Sequence, residues 1–152
     1  MIRKILTIAC LLSVVIFAGC QGRNHHHTAA GAADGSNDVK DNPTVIAYYF
    51  HRTVRCPGCL EIEASARQVI ENSFAKQLED GKLMWIPFNL DDPGGDEFEK
   101  EFDVSMSTLV IAKVHDGNHT KYKKLEKVWD LISDPVKFDS YVKNEVQQFL
   151  NE

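Results

Sequence analysis

A short apolar run, Val45-Ile46-Ala47-Tyr48-Tyr49-Phe50, leads into Arg55-Cys56-Pro57-Gly58-Cys59, which opens a helical pattern. The run is about six residues long and rich in β-branched and aromatic side chains, which selects a buried strand over a helix. Past the motif, Leu60, Ile62, Ala66, Val69, Ile70, Phe74 and Leu78 recur at spacings of three and four, with Glu61, Glu63, Arg67, Glu71 and Lys76 between them. That pattern predicts one helix with one buried face, reaching Leu78. Two thiols are therefore held at a strand-to-helix turn. Pro57 suits the first helical turn, whose amides have no intrahelical partners, and Cys56 lies where those amides and the positive end of the helix dipole point. A thiolate is stabilised there, so Cys56 is the expected nucleophile.

The cysteine count narrows the chemistry. Of the four cysteines, Cys10 and Cys20 fall in an N-terminal targeting segment, leaving Cys56 and Cys59 as the pair in the folded part. A purely structural disulfide is one alternative, but a bridge spanning two residues closes almost no loop entropy. A metal site is another. Zinc wants about four ligands, and the nearby candidate is His51, with His115 and His119 far along the chain. A soft ion such as Cu(I), held by Cys56, Cys59 and a histidine, stays open as a binding-module reading.

Met1-Ile2-Arg3-Lys4 followed by the apolar stretch Ile5 to Ala18 has the basic start and short apolar core of an export signal, too short for a stable membrane span. The stretch ends in Phe17-Ala18-Gly19-Cys20, which resembles the lipobox of bacterial lipoproteins. That resemblance implies cleavage after residue 19 and a lipid on Cys20, with ordinary secretory cleavage as the alternative. Phe17 stands where Leu is common. Gln21 is not the Asp that tends to hold such lipoproteins in the inner membrane, so the outer membrane is favoured where two exist. Residues 20–42 are Gly, Ala, Asn, Asp and His with almost no large apolar side chains, the composition of a flexible tether. Its reach is on the order of 25 Å. His25-His26-His27 reads as a solvated tract, with loose metal binding as the alternative.

Removing Arg3 and Lys4 from the 17 basic residues leaves 15 against 22 acidic ones, a net charge of −7. This disfavours nucleic acid and direct binding to anionic lipid, so the expected bilayer contact is through Cys20. Residues 43–152 suffice for one core and not for two. In them Asp80-Gly81 stops the first helix, and Leu83 to Leu90 reads as a second strand in which Pro87 suggests an edge. Asp91-Asp92-Pro93-Gly94-Gly95 is a turn without the spacing of a calcium loop. Asp96 to Phe102 forms a short helix, and Thr108 to Val114 a strand. Asp116-Gly117-Asn118 turns that strand onto a partner running from His119 to Val128. Asp134 and Pro135 cap a last helix whose apolar side is Val136, Phe138, Tyr141, Val142, Val146, Phe149 and Leu150.

Strand, helix, strand, helix, hairpin, helix, with C-x-x-C opening the first helix, resembles the thioredoxin-like superfamily. The resemblance implies an α/β three-layer fold with a mixed sheet of about four strands flanked by helices. It also implies that Cys56 attacks a substrate disulfide, that Cys59 resolves the mixed disulfide, and that Met106, Ser107 and Thr108 form the substrate-facing edge. Three departures stand out. Ser107 replaces the usual cis-proline, and because a cis bond before a non-proline residue costs about 2.5–4 kcal/mol, Met106-Ser107 is expected to be trans. Tyr49 occupies the place of a buried acid, leaving Glu63 as a candidate proton acceptor, with no carboxylate acceptor at all as the alternative. The loop His51-Arg52-Thr53-Val54-Arg55 lacks the usual tryptophan, and Arg55, with Arg52, is a candidate for stabilising the Cys56 thiolate, with solvated surface charges as the alternative. His51 reads as a satisfied strand-end histidine, and Trp85 and Trp129 as packing residues outside the site.

The function expected is a lipid-anchored, extracytoplasmic thiol-disulfide oxidoreductase, on the periplasmic side where two membranes exist. It acts on exported proteins bearing thiols or disulfides. The sequence carries no nucleotide or flavin fingerprint, so no cofactor is expected, and by family analogy a membrane electron-transfer partner resets the cysteines. The absence of a histidine between the cysteines argues against a strong oxidant and the arginines argue for one, so direction stays open. A non-catalytic interaction protein is the remaining alternative.

Overall fold

The computed structural model describes residues 44–152; the expected export signal, the lipidation site expected at Cys20, the expected tether and His25-His26-His27 lie outside the described residues. The elements are β1 (Thr44–His51), α1 (Pro57–Ser73), α2 (Ala75–Glu79), β2 (Leu83–Asn89), α3 (Gly95–Phe102), β3 (Thr108–His115), β4 (Asn118–Lys124), α4 (Val128–Leu131) and α5 (Pro135–Asn151). Four strands form one sheet in the order β2-β1-β3-β4. β1 runs parallel to β2 and antiparallel to β3, and β3 runs antiparallel to β4. This is the mixed, helix-flanked α/β sheet that the resemblance implied.

β1 is apolar at successive positions because both of its faces are covered. Val45, Ala47 and Tyr49 point into a core shared with Ile62, Ala66 and Ile70 of α1 and with Phe138, Val142, Val146 and Phe149 of α5. Ile46, Tyr48 and Phe50 point the other way, onto Phe102 of α3 and Val110 and Ala112 of β3. The four buried α5 side chains contribute about 1.5–3 kcal/mol each before chain entropy is subtracted. Pro87 sits on β2, the edge strand, where its missing amide costs no ladder bond to a further strand. Asp116 and Gly117 have φ of 51° and 76°, the left-handed pair of a tight hairpin turn. Asp134 Oδ1 accepts the Lys137 amide at 3.2 Å, so α5 starts as its cap residues indicated.

Three expectations are corrected. The first helix is two: α1 ends at Ser73, Phe74 leaves helical geometry (φ −131°, ψ 28°), and α2 follows. Asn72 and Ser73 are weak helix formers, and the break sends Phe74 into the core, where it is 1% exposed. The strand after the hairpin stops at Lys124, because Leu125 turns inward, fully buried, with its N–H on the Leu109 carbonyl at 2.8 Å. Residues 128–131 then make a helical turn. Val136, assigned to the apolar side of α5, faces outward and is 76% exposed.

Candidate active site

Cys56 is the N-cap of α1, in extended backbone geometry, and its Sγ accepts the Cys59 N–H at 3.0 Å. Its carbonyl accepts the Leu60 N–H at 3.1 Å, so the helix ladder starts on the cysteine itself. Cys56 and Cys59 form a disulfide with their Cα atoms 5.1 Å apart. The two sulfurs are not equivalent, since Cys56 is exposed and Cys59 is 9% exposed. Cys56 is thus the sulfur open to solvent, while Cys59 stays inside.

Beneath the motif lies Tyr49, fully buried, whose O–H donates to the Cys59 carbonyl at 2.6 Å. Burial pushes the Tyr49 phenol above its usual pKa, while hydrogen bonding with the Ser107 side chain and the charge of Arg55 pull it back. Trp85 stacks on Tyr49 with ring centroids 6.5 Å apart, as a packing residue. The Arg55 guanidinium lies over the Tyr49 ring at 5.7 Å and is ion-paired to Glu63, which also binds Arg67 at 3.1 Å. Arg55 Nε is buried without a hydrogen-bond partner. Arg55 is thus folded down onto α1 with an acid beside it, and the field it sends to Cys56 is that of a pair. Glu63 is in turn held by two arginines.

Arg52 does not join this cluster. Its guanidinium reaches Asp91 at 3.0 Å, Glu99 at 2.5 Å and the Ser105 carbonyl at 3.1 Å. The Asp91 bond is the main cause of a raised Arg52 pKa, and the Thr53 amide, donating to Asp91 at 2.8 Å, leads the causes that lower that of Asp91. The acids of the β2–α3 turn are therefore occupied by protein groups. His51 Nδ1 lies 3.0 Å from the Arg52 carbonyl, a local contact at the strand end. Among the described residues no group of three or more His, Cys, Asp and Glu is placed to hold a metal ion.

At the sheet end where β1 leads into the motif, Met106 is exposed, Ser107 is buried, and the Thr108 hydroxyl donates to the Met106 carbonyl at 2.9 Å. The Met106-Ser107 bond is trans, as no described peptide bond is cis. These residues line a shallow cleft of about 200 Å³ whose other wall includes Lys124, Glu126 and Trp129. Trp129 corrects the sequence reading. It is 40% exposed, and a Cβ placed on Gly58 would stand 3.6 Å from its Cζ3 atom, so its indole flanks the motif. A signal for this existed: β4 runs back to the sheet end where β1 delivers the cysteines, so the residues after β4 must arrive near them.

No protein-family model matches the chain, and no curated protein matches it. Among solved structures, a structure of thioredoxin-2, described as a component of malaria parasite protein secretion machinery, is similar. It is 18% identical, the match covers 64% of this chain and 88% of that one, and the TM-score is 0.37. The fold assignment rests on this chain's own strand order and directions.

Proposed function

We propose that the chain is a thiol-disulfide oxidoreductase, lipid-anchored outside the cytoplasm through Cys20, that exchanges its Cys56/Cys59 pair with exported proteins. One observation carries the reading: an exposed sulfur at a helix N-terminus is paired to a buried sulfur one helical turn on. In the reducing direction the Cys56 thiolate attacks a partner disulfide. A bond forms between Cys56 and one partner sulfur, and the other partner sulfur leaves as a thiolate and takes a proton. Cys59, deprotonated, then attacks Cys56 Sγ, closing the internal disulfide and releasing the second partner thiol. Two electrons have passed to the partner, and the oxidising direction is the reverse. The helix-terminal amides stabilise Cys56 as attacking and as leaving thiolate, so they assist in both directions. Met106, Ser107 and Thr108 offer the edge against which the partner lies. A membrane electron-transfer protein resets the pair.

The test is a redox titration of the purified full chain against glutathione, read by thiol labelling. A reversible two-electron couple between about −270 and −120 mV is expected, and its value assigns the direction. A pair inert in both states removes the proposal. The anchor has its own test: cells fed a labelled fatty acid should incorporate label into the wild type and not into Cys20→Ala.

A further inference from the structure

Arg52 lies four residues before the exposed sulfur, yet its guanidinium points to three other segments at once. It binds Asp91 in the β2–α3 turn, Glu99 on α3, and the Ser105 carbonyl in the loop that carries Met106 and Ser107. Two further bonds stiffen the same corner, Thr53 N–H to Asp91 at 2.8 Å and Asn89 Nδ2 to Thr53 Oγ1 at 3.0 Å. A guanidinium presents five donors in a rigid plane, so three acceptors on separate segments are fixed relative to one another and to the Arg52 backbone. The loop needs such a restraint. Residues 103–107 lie between the end of α3 and the start of β3, and no proline fixes their backbone.

We infer that Arg52 is a positioning residue that holds the Ser105-Met106-Ser107 edge in register with Cys56, and that it governs exchange with polypeptide disulfides rather than the reactivity of the sulfurs. The inference rests on the redox reading above. A polypeptide partner must place its backbone along the Met106 edge and its sulfur at Cys56 together, so a loosened edge misaligns the attack. Misplacement of about 1 Å costs up to roughly a hundredfold in rate. Glutathione disulfide, too small to span both, is indifferent to the edge. Lysine keeps the charge of Arg52 and cannot reach three acceptors at once.

The experiment compares full-length wild type, Arg52→Lys, Arg52→Gln and Glu99→Gln, each checked for folding by circular dichroism. Reduction of insulin, reduction of glutathione disulfide, and the Cys56/Cys59 potential are measured for each. Insulin turnover is expected to fall roughly tenfold in Arg52→Lys and Arg52→Gln, mainly through kcat, and less in Glu99→Gln, with glutathione rates unchanged and the potential unchanged in the charge-conserving Arg52→Lys. If Arg52→Gln does not fold, Arg52→Lys and Glu99→Gln carry the comparison. Equal losses toward insulin and glutathione, an unaltered insulin rate, or a wild-type-like Arg52→Lys beside a defective Arg52→Gln would overturn the inference while leaving the redox reading intact. A wild type without a reversible couple would overturn both.

Discussion

Glu63→Gln separates the field at Cys56 from the helix that supports it. Glu63 lies seven residues along α1 from the N-cap cysteine, so at 1.5 Å of rise per residue its charge stands about 10 Å from Cys56. At effective dielectric constants between 80 and 20, that charge raises the energy of a Cys56 thiolate by about 0.4–1.7 kcal/mol. Arg55 and Arg67, both bound to Glu63, currently offset it. Glutamine keeps the size and removes the charge, leaving Arg55 as an unopposed cation beside the motif. The reduced, thiolate form gains, and the couple should become about 10–35 mV more oxidising. Iodoacetamide should also alkylate reduced Cys56 faster at neutral pH. Glu71→Gln is the control: Glu71 is exposed and another eight residues along α1, well beyond a screening length of about 8–10 Å, so it should change neither quantity. A glutathione titration yielding an unmoved or more reducing Glu63→Gln couple refutes the electrostatic argument. A matching shift in Glu71→Gln would assign the effect to helix charge in general.

Cys59→Ser should accumulate a mixed disulfide with a polypeptide partner, visible on non-reducing gels, whereas Cys56→Ser should form none, because the proposed exchange begins at the exposed sulfur. Tyr49→Phe removes the O–H bonded to the Cys59 carbonyl, and should cost about 0.5–1.5 kcal/mol of stability. For a domain of this size that lowers Tm by about 4–8 °C per kcal/mol, measured by thermal unfolding. Asp91 has a depressed folded-state pKa, led by the Thr53 amide bond, so its contribution is complete above the ordinary value of 3.8 and is lost as pH falls through the folded value. Tm measured from pH 5 downward should therefore fall below about pH 4 more steeply in wild type than in Asp91→Asn.

β1 and the opening of α1 were legible because one run is apolar on both faces and the next is apolar on one, patterns that only a buried strand and an amphipathic helix satisfy. The break at Phe74 was not, since Phe74 and Leu78 continue the same spacing and remain apolar contacts on either side of it. Val136 was misassigned for the converse reason: in the first turn of α5 it keeps the period but points away from the sheet. The site divides in the same way. The inequality of Cys56 and Cys59 followed from helix geometry, which sequence spacing encodes. The separate fates of Arg52 and Arg55 did not, because a long side chain reaches several ångströms in a direction that adjacency to a cysteine leaves open. Trp129 was missed since its proximity depends on where β4 ends, and an expected strand running to Val128 carried the chain past the turn that delivers the indole.

Two residues that depart from the pattern expected of the thioredoxin-like resemblance, far apart in sequence, are near one another in space. Tyr49 stands on β1 where a buried acid is usual, and Ser107 stands before β3 where a proline is usual. The Tyr49 hydroxyl donates to the Cys59 carbonyl at 2.6 Å, and the buried Ser107 side chain lies close enough to pull the phenol's pKa down against burial. A proline would offer no hydroxyl at this point, and an ionised acid would have no proton to donate to the Cys59 carbonyl. The phenol therefore ties the first turn of α1 to the sheet, with the Ser107 side chain beside it. In place of a ring constraint at residue 107, the loop is held by a polar contact at Ser105, whose carbonyl accepts from the Arg52 side chain that also binds Glu99 of α3. Replacing the buried Ser107 by proline takes a hydroxyl away from beside the phenol and puts a ring in its place without restoring an acid beneath Cys59, so a loss of insulin turnover in Ser107→Pro is expected. It should be larger in wild-type Tyr49 than in Tyr49→Phe, where the hydroxyl beside the serine is already gone, and equal losses in the two backgrounds would show that the residues act independently.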